Sequence, residues 1–252
     1  MIALATRAGR RSRGAIGKRF GVRALIAFFF AGAVASSAQA KVGAVLSAYS
    51  DERFRGFSLS DGRPVGILDL SYDASNGLYA AASGSVVASR GEGLKLLGAS
   101  VNGGYAQRLR SGLTIDVGAI HSRYSRYSGL ASGRSYTEVY AGLAGKLVGA
   151  RISVSPDYLG SAHWTTHAEL NGHVDLLGGL SADGELGLLV PLGHRRYQES
   201  LRPQVDARAG IARRFGTITL HMAVTARSGP SDFYAAEEHG HTAVILGIST
   251  TL

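Results

Sequence analysis

The sequence has no cysteine, which excludes disulfide staples and thiolate metal sites and fits an oxidising envelope compartment. Beyond residue 40 it has no apolar run long enough to cross a bilayer as a helix, which takes about 20 residues. It has no G-x-S-x-G elbow and no Walker-type phosphate loop, so two common signatures of hydrolases and nucleotide enzymes are missing. Serine, histidine and acidic residues are plentiful, but a catalytic triad is a matter of geometry, and no catalytic residue, metal site or cofactor is expected.

Acidic residues are absent from the first 40 positions, which carry Arg7, Arg10, Arg11, Arg13, Lys18, Arg19 and Arg23. An apolar run over 24–35, with Phe28, Phe29 and Phe30, follows. It is too short for a helical anchor and suits a secretory h-region of roughly 7 to 15 residues. Ala38-Gln39-Ala40 supplies a small-residue cleavage site. Residues 1–40 are therefore read as a signal peptide cleaved after Ala40, and 41–252 as the mature domain. An amphipathic surface helix would need a polar face through 24–35, which is missing. Arg10-Arg11 lacks the hydrophobic context of twin-arginine export, so ordinary unfolded export is expected.

The high overall charge is largely discarded with that segment. Seven of the 27 lysines and arginines precede Lys41, leaving 20 against 18 acidic residues. A near-neutral mature chain argues against a nucleic-acid partner.

What the mature chain does have is alternation. Ile218, Leu220, Met222 and Val224 interleave with Thr217, Thr219, His221 and Thr225. Thr137, Val139, Ala141 and Leu143 oppose Tyr136, Glu138 and Tyr140. Period two makes one strand face apolar and the other polar. Val65 and Ile67 break the rule by sharing the parity of Asp69. The pattern predicts about 12 segments of roughly 9 to 11 residues, the length of a tilted membrane strand: 43–54, 64–74, 78–87, 95–109, 113–123, 135–144, 149–157, 163–175, 180–191, 203–214, 217–227 and 241–252.

Short turns at Asn76-Gly77, Ser111-Gly112, Gly145 and Phe215-Gly216 alternate with longer connections such as 124–134, 192–202 and 228–240. The turn near 176–184 fits least well. The abundant glycine (35 residues) suits hairpins and curved sheet. The fold expected is an all-β antiparallel transmembrane β-barrel with both termini periplasmic. A soluble β-sandwich or lipocalin-like barrel has the same periodicity turned inside out. Asp69, Asp116, Glu138, Arg151, Glu169, Arg208 and Arg227, all on polar faces, favour a wet lumen instead.

The run Tyr49-Ser50-Asp51-Glu52-Arg53-Phe54-Arg55-Gly56-Phe57-Ser58 with Ser60-Asp61-Gly62 resembles the first strand and loop of the TorF family of outer-membrane porins. Ser135–Leu143 and Ser155–Gly160 resemble that family's Y-T-E-V-Y and S-P-D-Y-x-G segments, in the same order. The resemblance covers essentially the mature chain and implies a porin role without a substrate or catalytic residues. Departures are the Thr251-Leu252 ending, where an aromatic is usual, and residues 176–184. Gly247, Thr250 and Leu252 still approximate the C-terminal signal read by the barrel-insertion machinery.

The function expected is passive diffusion of small hydrophilic solutes or ions. The lumen would be lined by Asp69, Asp116, Glu138, Arg151, His167, Glu169, His173, Arg208 and Arg227. Mixed signs imply weak ion preference at most. A plugged structural or adhesive barrel, and less readily a barrel hydrolase, are the alternatives. Arg53 and Arg55 are candidate contacts to anions or lipopolysaccharide phosphates, or equally structural partners of Asp51 and Asp61. His163, His167, Glu169, Asn171 and His173 share a face, but residues two apart on a strand lie about 6.5 to 7 Å apart, so a polar lumen row is preferred to a metal site. Glu237, Glu238, His239 and His241 are read as a solvated loop. Trp164 and Tyr124, Tyr127, Tyr136, Tyr158, Tyr197 and Tyr234 are candidates for interfacial girdles, with core or loop packing the alternative. Outer-membrane lipid and lipopolysaccharide are the expected surroundings.

Overall fold

The computed structural model describes residues 40–89, 91–130, 133–161, 163–192, 202–228 and 241–252. Residues 1–39 of the expected signal segment, together with Tyr197, Tyr234, Glu237, Glu238 and His239, lie outside the described residues. The strands are β1 (Lys41–Tyr49), β2 (Arg53–Phe54), β3 (Phe57–Ser58), β4 (Val65–Asp73), β5 (Leu78–Ser89), β6 (Gly93–Arg108), β7 (Thr114–Tyr124), β8 (Ser135–Ala144), β9 (Val148–Ser155), β10 (Trp164–Asp175), β11 (Leu180–Leu192), β12 (Gln204–Phe215), β13 (Ile218–Arg227) and β14 (Thr242–Thr251). All except β2 and β3 form one closed antiparallel barrel. It closes where β14 pairs β1, from Val45 opposite Thr251 to Tyr49 opposite Gly247. The twelve barrel strands match the periodicity reading in number and nearly in position.

Burial decides which face is which. Large apolar side chains on alternate positions point outward and stay exposed, Leu70 by 46%, Val139 by 58% and Leu170 by 49%. Their strand neighbours Asp69, Glu138 and Glu169 point inward, and the last two are buried. A continuous apolar belt of this kind facing water would be an aggregation surface. Facing acyl chains it is stable, because a closed ladder pairs strand backbone all round the ring and these carboxylates turn to the axis rather than to lipid. The soluble alternative is thereby excluded.

The short turns fall at one end, which also holds the start of β1 and the end of β14. Gly77, Gly112 and Gly216 there take positive φ, the backbone region tight hairpins need. The doubtful turn near 176–184 is confined to 176–179, and Ser181 and Asp183 already alternate inward on β11. The opposite, loop end carries the longer connections, with one exception. β5 and β6 are joined by residues 90–92 alone and rise as one long hairpin. Its register slips between Ser85/Gly98 and Val86/Leu96, leaving Leu97 as a bulged residue with no exposure. The bulge re-aims Leu97 into the lumen.

Many glycines serve the wall as much as the turns. Tyr49, Tyr79, Tyr124 and Tyr140 each stand directly opposite a glycine, Gly247, Gly104, Gly98 and Gly118 respectively. A Cβ on any of these would lie within 2.7 Å of the facing tyrosine, so each ring lies across its neighbour's bare backbone. Gly247→Val is expected to lower stability by about 1–3 kcal/mol through overpacking, because its Cβ would meet the Tyr49 ring. Guanidinium unfolding in detergent micelles, followed by tryptophan fluorescence, is the check; an unchanged midpoint would contradict it.

Candidate functional site

Between β1 and β4 the chain does not loop outward but folds back into the barrel. The expected first strand, 43–54, ends at Tyr49, and Arg53–Ser58 forms a miniature hairpin. Phe54 and Phe57 pair across it. Arg55 (φ 50) and Gly56 (φ 73) form its two-residue loop, the twist that suits a tight hairpin. An aromatic pair flanking a two-residue X-Gly step is the sequence signal that marks this hairpin.

The polar residues of the first motif hold the hairpin's shape. Asp51 Oδ1 accepts hydrogen bonds from Ser58 Oγ at 2.6 Å and Ser60 Oγ at 2.8 Å, and Oδ2 accepts one from Arg53 Nε at 2.7 Å. Ser60 Oγ accepts from the Glu52 amide, and Leu59 N–H donates to the Glu52 carbonyl. From the β7–β8 connection, Gly129 N–H donates to the Leu59 carbonyl, and Tyr127 O accepts from Arg63 Nη2.

Phe54, Phe57 and Leu59 are buried against inward residues from around the barrel. These include Ile67 of β4, Val87 of β5, Leu97 of β6, Tyr136 of β8, Leu189 of β11 and Ile245 of β14. Val65 and Ile67 broke the polar-inward rule for this reason: at the loop end the inward face meets the hairpin rather than water. The mouth is sealed by an apolar layer among the described residues.

At the tip, Arg55 reaches Glu138. Its Nη2 donates to both carboxylate oxygens at 2.8 and 2.9 Å, and the two side chains are 2% and 5% exposed. The guanidinium lies 4.7 Å from the Phe54 ring centroid and 5.0 Å from that of Tyr158. Tyr158 sits in a 3-10 turn, Tyr158–Gly160, and packs edge-on to Tyr136 with centroids 5.3 Å apart. The three motif stretches, separated by up to about a hundred residues, thus meet at one ion pair. Arg55 comes from the first, Tyr136 and Glu138 from the second, Tyr158 from the third.

Beneath the seal, Glu52 is buried among Ser83 and Ser85 of β5, Gly98 and Ser100 of β6 and Tyr124 of β7. Burial first, then the charges of Asp69 and Asp51, push its carboxyl up to about 7, partly offset by Ser85.

The expected lumen residues point inward as a set, but several are engaged rather than free. Asp116 accepts from Tyr79 Oη at 2.6 Å and from Arg151 Nη2 at 3.0 Å, and Arg151 lies 4.2 Å over the Tyr140 ring. Arg208 pairs with Asp183. Glu169 accepts from Asn171 Nδ2 at 3.1 Å, and His167 Nε2 lies 3.5 Å from Asp206 Oδ2. His173, near the turn end, approaches Asp175 at 3.1 Å. Arg227 lies over Phe57 at 5.9 Å. Asp69 lies in the half-exposed lower wall. The sequence reading passed over Glu52, Asp183, Glu185 and Asp206, although the alternation of β11 and β12 marks the last three as inward.

Two expectations are corrected here. Arg53 and Arg55 do not stand at the surface to meet lipopolysaccharide phosphates. They are buried in pairs with Asp51 and Glu138, because an arginine inside a sealed mouth needs a carboxylate partner. Tyr124, Tyr136 and Tyr158 belong to the inner apolar layer, with Tyr127 packed against it, and not to an interfacial girdle. Trp164 does face outward, 56% exposed. The histidines of β10 gather no metal set, and no group of three or more potential metal ligands occurs among the described residues.

Residues 33–242 match the family model described as "Bacterial protein of unknown function (Gcw_chp)". The chain belongs to this family. All three motif segments lie inside the matched region. Among solved structures, the chain is similar to the NanC porin at 14% identity, covering 83% of this chain and all of that one, with a TM-score of 0.53. The KdgM porin matches at 10% identity over 82% and 98% of the two chains, TM-score 0.50. An outer membrane channel from Pseudomonas putida F1 matches at 17% identity over 86% and 96%, also at 0.50. At these identities the likeness is one of fold, the porin-like barrel. A search of the curated proteins finds no match.

Proposed function

We propose that this chain is an outer-membrane channel of porin type for small hydrophilic solutes or ions, held shut at its outer mouth by the hairpin of residues 53–58. The observation that carries the reading is the contrast along the barrel axis. Below the apolar seal the inward wall is polar, and Asp69, Asn102, Arg151 and His173 on it are partly exposed. A barrel needed only as an anchor has no use for a charged wall. Asp116, Glu138, His167, Glu169, Arg208 and Arg227 would join those residues in setting what passes.

The likeness of the three motif segments to TorF porins supports this reading, as do the porin and channel folds it resembles. With a signal cleaved after Ala40, the turn end would face the periplasm and the loop end lipopolysaccharide. The β14 end at Gly247–Leu252 would be read by the insertion machinery.

Replacing residues 53–58 by two glycines tests the proposal. The ends to be joined are already neighbours, since Leu59 N–H donates to Glu52 O at 2.7 Å. In planar bilayers the intact protein is expected to conduct rarely and the trimmed one in frequent discrete steps. Silence from a trimmed barrel that still shows heat-modifiable gel mobility would favour the second reading, a plugged structural barrel. That reading is supported by the completeness of the apolar seal.

A further inference from the structure

Resting on the channel reading above, we infer that the open pore selects cations over anions, and that the inward wall of β8 and β10–β12 is the filter. On sequence alone the lumen looked mixed in sign. Alternation on β11 and β12 adds Asp183, Glu185 and Asp206 to the inward set. Away from the strand ends and among the described residues, the wall then carries Asp69, Asp116, Glu138, Glu169, Asp183, Glu185 and Asp206. Arg151 and Arg208 oppose them, with Arg227 at the end of β13 and Lys95 near the start of β6, the latter paired with Glu92.

The acidic side chains are concentrated where the hairpin tip sits. Glu169 faces Gly187, which in turn faces Asp206 on the next strand. With no side chain at Gly187, the Asp206 carboxylate lies over it, within 2.6 Å of where a Cβ would be. Asp206 is 4% exposed, and its Oδ2 accepts no hydrogen bond among the described residues. Glu185 is close enough to feel the charges of both Glu169 and Asp206. Arg208 and Arg227 flank this group in register, opposite Glu185 and Asp206.

The chain itself shows what this wall accepts. The group seated there is a cation, the Arg55 guanidinium, bonded to Glu138 and near enough for its charge to act on Glu185 and His167. When the hairpin leaves, the positive charge leaves with it and the carboxylates stay. A narrow, low-dielectric passage lined with one sign of charge concentrates the opposite ion. Small inorganic cations and cationic solutes bearing ammonium or guanidinium groups are therefore the class that the open pore favours.

The test is the reversal potential in a potassium chloride gradient across a planar bilayer, with the trimmed barrel and with full-length Arg55→Ala measured in parallel. Potassium is expected to be favoured over chloride by about tenfold. Adding Glu169→Gln, Glu185→Gln and Asp206→Asn together should bring the ratio to about parity. Guanidinium chloride should shift the potential in the same direction as potassium chloride. Discrete channels with no preference, or with chloride favoured, would overturn the inference and leave the channel reading standing. A cation preference that survives the triple neutralisation would overturn the assignment of the filter. Failure of both folded variants to conduct would sink the channel reading and this inference with it.

Discussion

Arg55→Ala is expected to turn a mostly closed barrel into a mostly open one. The substitution removes the cation from a pair whose members are 2% and 5% exposed, and it leaves the Glu138 carboxylate without that partner. Removing one member of a buried ion pair costs about 3–5 kcal/mol. Here that cost falls on the closed state alone, since a displaced hairpin lets Glu138 meet water. At about 1.4 kcal/mol per factor of ten, the closed-to-open ratio should fall by roughly a hundredfold or more.

Glu138→Gln should act in the same direction but less, because an amide oxygen still accepts from the guanidinium. The double change Arg55→Met with Glu138→Met should close better than Arg55→Ala alone, since neither buried charge remains. Open probability in planar bilayers is one readout. Trypsin cleavage after Arg53, which needs the hairpin to leave the mouth, is an independent one for Glu138→Gln. If Arg55→Ala kept the wild-type open probability, and Glu138→Gln resisted trypsin as well as the native protein does, the ion pair would not be the latch.

The second large effect is on pH. Glu52 is buried against Asp51 on its own segment, Asp69 on β4, Ser83 and Ser85 on β5 and Tyr124 on β7. In the closed barrel its carboxyl is pushed up to about 7, from an ordinary value of 4.5. The closed state therefore holds a proton that the released hairpin gives up. Below about 4.5 the group is neutral in both states and closure is undisturbed. As pH rises from 4.5 to 7 the released state gains by ionising, and above 7 the full bias of about 3 kcal/mol has accrued against closure.

Opening is thus expected to become more frequent between pH 5 and pH 8, by roughly a hundredfold at the limit. Glu52→Gln should flatten this dependence and stay closed at the higher pH. A Glu52→Gln barrel with the native pH profile would remove Glu52 as the titrating group.

The motif around Arg53 and Arg55 shows how a correct pattern can carry the wrong geometry. Its arginines, serines and aspartates were visible, and Asp51 was among the named partners of Arg53. Only the inward course of the chain was missing. A loop that turns out and a hairpin that turns in have the same local sequence needs, two φ-positive residues and side-chain caps. What separates them is whether the far walls of a barrel, brought together from β4 to β14, offer an apolar seat. Val65 and Ile67 hinted at that seat as apolar residues on a polar parity, but the hint had no meaning until closure put them beside Leu189 and Ile245. The tyrosines went the same way: Tyr124 and Tyr136 lie near strand ends, where a girdle sits, yet their parity faces the axis.

The sequence by itself determined the strands, their number and the two-faced wall, because alternation and turn residues are local and a membrane strand leaves little freedom in either. It also marked the three segments that matter, as motifs with no stated purpose. Only the tertiary structure decided that those segments meet, since an ion pair between residues 55 and 138 depends on twelve strands closing into one ring. Closure likewise decided that the mouth is shut and that the acidic side chains of β10–β12 crowd together. Charges distant along a chain acquire a common field only when the fold brings them to the same wall.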